Sequence, residues 1–263
     1  PYKDIPSFNL PSNVLVMVAV SGPFSVHDAD GHARQVARTK AWTEKTGRKV
    51  WQWTYPGKHG ERAFPNVPDI CPRAWGHFYR EMADYSIGAF AESETDRWFY
   101  HHLNYYVFGK VLWDTGTDVD ALLDEYYRRM YGAAAADVRA LFEALEDVWG
   151  RETDLGPVCA VPSDYELWTR IYTRGRIGEW KKLLAGAVGK VVRGSLEFRR
   201  LQLVWEEVLR PLDGESAAFM ASVSVEAELK RRAAHPEEVS LVVGGDFATK
   251  TKGRWCGKWY ANE

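Results

Sequence analysis

Three short apolar runs, separated by helix-patterned segments, set the tightest limit on how this chain can fold. They are "NVLVMVAV" at 13–20, "KVWQWTYP" at 49–56 and "IGAFAES" at 87–93. Between them lie "HARQVARTKAWTEKT", closed by Gly47, and "PRAWGHFYREMADYS", which opens on Pro72. Glycine just past a helix end and proline in its first turn are the expected stop and start signals. The order is β-α-β-α-β, and strands joined by helical crossovers pair in parallel. The first run is almost continuously apolar, which predicts a strand covered on both faces.

From Arg97 onward the periodicity is helical. Phe99, Leu103, Val107 and Val111 fall on one stripe; Val119, Leu122, Leu123, Tyr126 and Met130 form the next. Val138, Leu141, Leu145 and Val148 form a third. Thr117 with Asp120, and Ser163 with Glu166, have the spacing of capping boxes. Further helices are predicted over 178–193, 195–210 and 214–233, followed by the strand-like "EVSLVV". Three parallel strands would leave two bare sheet edges, so the pattern predicts that the sheet is completed by another chain, another segment or a symmetry mate.

Aromatic residues make up 14% of the chain, with 12 Trp and 13 Tyr. Such a surplus fills a core, an interface or a carbohydrate site. The formal net charge of −2 supplies no basic field for a phosphate backbone, so nucleic acid is not the expected partner. No apolar run approaches membrane-spanning length, and the first twenty residues do not have a signal peptide's arrangement. Cys71, Cys159 and Cys256 are too few and too scattered for a disulfide framework, although one bridge remains open. No "GxGxxG" follows a strand and no "GxxxxGK[ST]" is present, so no cofactor is expected.

The segment "LNYYVFGKVLWDTGTDVDALLDEYYRRMYGAAAADVRALFEALEDVW" resembles the end of proteins carrying the DUF4838 domain. "AWTEKTG", "VWQWTYP", the Pro-rich loop after it and "GAFAES" fit the same order, so the resemblance covers roughly 12–150. Those proteins are similar to family 20 and family 67 glycoside hydrolases, with a (β/α)₈ barrel followed by helices. The resemblance implies an α/β fold in which 1–96 supplies the last three strands of a TIM-like barrel. It implies a helical region at 97–235 packed on that barrel, with 236–263 as a tail carrying a short strand. It also implies a second polypeptide or an N-terminal segment completing the barrel, an oligomer being one route, and a secreted or periplasmic location.

Barrel active sites form at the C-terminal ends of the strands. Glu92 ends the third run there and is the candidate catalytic carboxylate. Glu94, two residues on, and Asp28, after the first run, are candidate substrate ligands. Each has a plainer reading as a loop-surface acid, and Asp96 reads as a cap for the next helix. "HDADGH" at 27–32 lacks the spacing of a metal loop, and a tight Asp-Gly turn accounts for it; no metal is expected. Trp51, Trp53 and Tyr55 alternate and share one strand face, with Gln52 and Thr54 on the other. If the aromatic face points into the barrel, Trp53 and Tyr55 can stack on a sugar and offer an indole N–H and a phenol to its hydroxyls. If it points outward, the same residues pack on helices. His59, with Lys58 and Arg62, is a further candidate for gripping a sugar or is simply loop surface.

The expected function is therefore a subunit or fragment of an exo-acting glycoside hydrolase, with a carbohydrate substrate and carboxylate acid/base chemistry. The alternative is a non-catalytic carbohydrate-binding or structural subunit whose barrel lacks the acid/base pair.

Overall fold

The computed structural model describes residues 5–23, 28–55, 66–92, 98–153, 162–223, 230 and 234. Among them, β1 (Met17–Val20), β2 (Val50–Thr54) and β3 (Ser86–Ala91) form one parallel sheet in the order β1-β2-β3. Helix α1 (Ala29–Thr46) joins the first pair and α2 (Pro72–Met82) the second. The predicted β-α-β-α-β order is the observed one, and the protein is a mixed α/β chain rich in helix.

Local chemistry fixes the crossovers. Asp28 caps α1 by accepting from the Gly31 N–H at 2.9 Å. Gly47 ends that helix in the left-handed region at φ 65°, where an L side chain would be strained. Pro72 occupies the first turn of α2, but Cys71 offers no side-chain cap. Two free N–H groups at this helix start are satisfied from elsewhere: Asn104 accepts from Cys71 N at 2.9 Å and Glu146 from Arg73 N at 3.0 Å. The crossover is thereby tied to the helices that follow.

Those helices are α3 (Trp98–Trp113), α4 (Val119–Tyr131) and α5 (Ala135–Val148), then the short α6 (Asp164–Glu166), α7 (Arg174–Gly189), α8 (Leu196–Val204) and α9 (Arg210–Ser222). Turns of π-helix at Trp149–Thr153, Leu167–Ile171 and Trp205–Leu209 extend α5, α6 and α8. One apolar core runs from Val18 and Val20 of the sheet to Val208 and Leu212 of the last helices. The stripe of Val138, Leu141, Leu145 and Val148 lies in it as the periodicity predicts.

Four expectations are corrected. The first strand is shorter than 13–20, and it is not covered on both faces. Val18 and Val20 are buried whereas Met17 is 45% exposed, because among the described residues helices pack on only one side of the sheet. The cap of α4 is Asp118, which accepts from the Asp120 and Ala121 N–H groups, and not a Thr117–Asp120 box. Thr117 instead donates its hydroxyl to the Asp114 carbonyl, closing the preceding turn. The break predicted near 210–214 does not occur: α8 runs through the π turn into α9, and Pro211 is accommodated where the π turn passes into α9. The Ser163–Glu166 capping box forms as expected, but the helix predicted from 178 begins at Arg174, capped by Thr173.

Candidate functional site

Strand pairing decides which side chains meet. Ala19, Trp53 and Phe90 lie side by side in one row, and Met17, Trp51 and Gly88 in the row below. Neighbouring strands have parallel pleats, so these residues share a face. On the opposite face Val18, Val20, Val50, Gln52 and Thr54 are buried. Tyr79 of α2 reaches Thr54 there, its hydroxyl 2.7 Å from Thr54 Oγ1. Burial pushes the Tyr79 phenol up, so it stays protonated and donates. Thr54 in turn donates to the Phe90 carbonyl at 3.1 Å, locking β2 to β3 at their C-terminal ends. Among the described residues, the helices therefore cover the Gln52–Thr54 face and leave the Trp51–Trp53 face open.

That open face is apolar. Trp53 is 38% exposed and Phe90 48%, with Met17, Leu15 and Ile87 also exposed. A register shift between Val50 and Trp51 leaves Ile87 as an extra residue in β3 and sets the phase that brings Phe90 beside Trp53. The Trp51 ring lies across Gly88; a Cβ there would stand 3.0 Å from the ring. Trp53 stacks on Tyr55 with centroids 6.2 Å apart and planes at 27°. Phe90 meets Trp53 edge-on at 5.4 Å and 89°.

At the rim the chain of β3 continues one residue past the strand. Glu92 N donates to the Thr54 carbonyl at 2.8 Å, which keeps Glu92 in phase with Phe90 and on the same face as Trp53. Trp53 Nε1 donates to Glu92 Oε2 at 2.7 Å. The rim thus combines a stacked aromatic pair, an edge-on phenyl ring and a carboxylate oriented by an indole N–H.

The structure brings Trp53, Tyr55 and Glu92 together. Asp28 is otherwise engaged: it caps α1 and lies 4.0 Å from Arg34. His59 and Glu94 fall outside the described residues, as do His27, Lys58, Arg62, Asp96 and the tail 236–263. Phe90 was missed in the sequence. Its signal was the i, i+2 spacing to Glu92, which places both on one strand face.

A second polar cluster lies under α2. His101 Nδ1 is 2.6 Å from Asp69 Oδ1, both side chains being almost fully buried. Asn104 donates to the Asp69 carbonyl at 2.8 Å. Desolvation raises the Asp69 carboxyl above its ordinary value, against the opposing pull of His101. Because Asn104 also holds Cys71 N, this cluster pins the 66–71 segment to α3. Glu81 of α2 is approached by His32 at 2.7 Å and by His77 at 3.7 Å, bracing α1 against α2.

The fold and the rim define an α/β protein with a parallel sheet, one helix-covered face, and an aromatic and acidic surface at its strand ends. The chain belongs to the DUF4838 family, described as a domain of unknown function, whose family model matches residues 3–143. No curated protein and no solved structure matches it.

Proposed function

We propose that this chain carries the last three strands of a (β/α)₈ barrel that binds and hydrolyses carbohydrate, with Trp53, Tyr55 and Glu92 in its active centre. The observation that carries the reading is the Trp53–Glu92 pair at the C-terminal end of parallel strands, on the sheet face that the helices leave open. An exposed apolar sheet face of this kind marks a surface meant to be covered. Further strands, from the rest of a longer chain or from a partner, would pair with β1 and β3 and turn this face into the barrel interior. The rim would remain wet, as barrel active sites are.

In that setting the Trp53 and Tyr55 rings supply a flat surface for the C–H face of a sugar. Glycoside hydrolysis then needs two carboxyl groups. One donates a proton to the leaving oxygen as the anomeric C–O bond breaks. The other attacks the anomeric carbon or takes a proton from the water that adds to it. Glu92 supplies one carboxyl group and the remaining strands the other.

The test is steady-state kinetics of the full-length protein and its Glu92→Gln variant on a panel of aryl glycosides. Turnover should fall by about 10²–10⁴, the usual worth of a general acid or base. Unchanged turnover would remove Glu92 from the chemistry.

A non-catalytic sugar-binding role is the second reading, and one observation favours it. Asp28, the other candidate carboxylate within the described residues, is committed to capping α1, so it is not a second acid for the site. In that case the full-length protein binds glycans and hydrolyses none.

A further inference from the structure

We propose that Tyr79 and Thr54, on the helix-covered face of the sheet, are positioning residues that set the geometry of the Trp53–Glu92 pair on the other face. The proposal rests on the carbohydrate reading above, which makes that pair the active centre, and adds the residues that hold it.

Thr54 ends β2 and pairs with Ala91, which ends β3. It grips the peptide groups on both sides of Ala91. Its hydroxyl donates to the Phe90 carbonyl at 3.1 Å, and its own carbonyl accepts from the Glu92 N–H at 2.8 Å. Trp53 directly precedes Thr54, and its indole N–H reaches Glu92 Oε2 at 2.7 Å. One residue thus fixes the main chain under both partners of the pair. Glu92 makes further contacts, and these act on a side chain whose main chain is already set here.

A threonine hydroxyl has a single hydrogen to give. It goes to Phe90, so the Tyr79 phenol, 2.7 Å away, is the donor to Thr54 Oγ1. Burial keeps that phenol protonated, as the role requires. The two bonds run in series, and each strengthens the other. Water has no access to compete, since Thr54 is 0% exposed and Tyr79 2%. The Tyr79 ring is wedged against Trp75, Phe78 and Phe108, with centroids 6.2, 5.1 and 4.7 Å away. Helices α2 and α3 therefore fix the phenol, the phenol fixes the Thr54 hydroxyl, and Thr54 fixes the strand end that carries Glu92. Phenylalanine and valine would fill the same space without burying two hydroxyls. What the hydroxyls add is direction.

The test uses the full-length protein with isotope-labelled tryptophan, the Trp53 indole signal being assigned by its loss in Trp53→Phe. Exchange of that N–H with solvent reports its bond to Glu92 and needs neither sugar nor turnover. In Tyr79→Phe the exchange should become about threefold faster or more. In Ile177→Val, a core truncation in α7, which packs on other helices, it should stay at the wild-type rate. On aryl glycosides, kcat should fall about tenfold in Tyr79→Phe, as a displaced reacting group demands, with KM changing far less. Thr54→Ser keeps the hydroxyl and should retain most of the turnover. Thr54→Val keeps the shape and should lose it as Tyr79→Phe does. Thr54→Val alone strands the Tyr79 phenol, so the double variant Tyr79→Phe/Thr54→Val, which removes both hydroxyls, replaces it if it does not fold. A wild-type exchange rate in both Tyr79→Phe and the double variant overturns the proposal, whatever the activity. An equal acceleration in Ile177→Val also overturns it, because exchange would then follow overall stability. So does faster exchange with kcat unchanged, since the geometry of the pair would not matter to the chemistry. If the wild type hydrolyses none of the glycosides, the hydrolase reading fails. Faster exchange in Tyr79→Phe then still supports its hold on the pair, and an unchanged rate still overturns it.

Discussion

The indole N–H of Trp53 donates to Glu92 across 2.7 Å, joining two residues 39 positions apart in the chain. The bond exists because β2 and β3 are parallel and in a register that sets Trp53 beside Phe90, two residues before Glu92. It gives the Glu92 carboxylate a fixed direction. Trp53→Phe keeps a ring on the platform and removes the N–H. Sugar binding should survive in this variant better than in Trp53→Ala, while the pH dependence of turnover should shift because Glu92 has lost one hydrogen-bond donor. A Trp53→Phe profile superimposable on wild type would mean that the bond has no part in the chemistry. Trp53 is 38% exposed and packs on Tyr55 and Phe90, so Trp53→Phe, which keeps a ring there, should move the melting temperature less than Trp53→Ala.

Close packing between helices gives a second prediction. Gly76 of α2 faces α3 and α4, and a Cβ there would stand 2.6 Å from Val119 Cγ2 and 3.1 Å from Val107 Cγ1. Alanine in place of glycine inside a helix is worth about 1 kcal/mol. Overpacking of a filled core costs about 1–3 kcal/mol. The clash should win, so Gly76→Ala should lower stability by about 1 kcal/mol or more in urea unfolding. Adding Val119→Ala relieves the contact and should recover part of the loss. A stabilised single variant would show that the helices can move apart freely.

His102 makes stability pH-dependent. It packs on Phe99, Tyr126 and Phe142, and its ring nitrogens lie 2.8 Å from the Phe99 carbonyl and 3.0 Å from the Tyr126 hydroxyl. The Tyr126 phenol is pushed up to about 12 and keeps its proton, so the two contacts suit a neutral imidazole that donates through Nδ1 and accepts at Nε2. Desolvation lowers the His102 pKa from 6.5 to about 4. A depressed folded-state pKa means that the unfolded chain takes up the proton first as pH falls. The stabilisation is complete above 6.5 and is lost on descending toward 4. Up to about 3 kcal/mol is involved. Asp69 works in the opposite sense: its raised pKa gives a contribution that is present below 3.8 and is lost as pH rises through the folded value. Unfolding free energies of wild type and His102→Gln at pH 7, 5.5 and 4 separate the two. The wild type should lose more than the variant over that range, and parallel curves would remove His102 as a cause.

Arg73 ties three helices together. Its guanidinium meets Asp120 of α4 at 2.8 Å, Glu143 of α5 at 2.7 Å and also Glu146 of α5. Glu146 is largely buried and desolvation pushes its carboxyl up, so losing its partner leaves a poorly solvated acid. Breaking a fully buried pair costs about 3–5 kcal/mol. Arg73 is itself about a third exposed, so Arg73→Gln should cost about 2 kcal/mol in denaturant unfolding. A loss under about 0.5 kcal/mol would place the cluster among ordinary surface pairs.

What the sequence revealed followed the range of the forces involved. Gly47, Pro72 and the Ser163–Glu166 box act over a few residues, and all three read correctly. Strand order was legible because helical crossovers leave parallel pairing as the natural outcome. The capping of α4 misread because Thr117 and Asp118 are both good caps, and their difference lies in which one the preceding turn consumes. Exposure of Met17 and Phe90 was not legible, since an apolar residue looks the same whether a neighbour covers it or not. The Asp69–His101 contact and the Trp53–Glu92 bond depend on tertiary register, which no local pattern encodes. The place of Glu92 directly after a strand was nonetheless legible.

The central claim is that the Trp53–Glu92 rim holds sugar, and direct binding tests it most closely. Neutral oligosaccharides should be titrated calorimetrically into the full-length protein, its Trp53→Ala variant and its Trp51→Ala variant. The account predicts that Trp53→Ala weakens binding by about tenfold, in line with the roughly 0.5–1.5 kcal/mol of an aromatic stacking contact, with little change in melting temperature. Trp51→Ala, whose ring packs over Gly88 below the rim, should lower the melting temperature more and affinity less. Equal affinity in wild type and Trp53→Ala, or no heat of binding from any of the three proteins, would contradict the account.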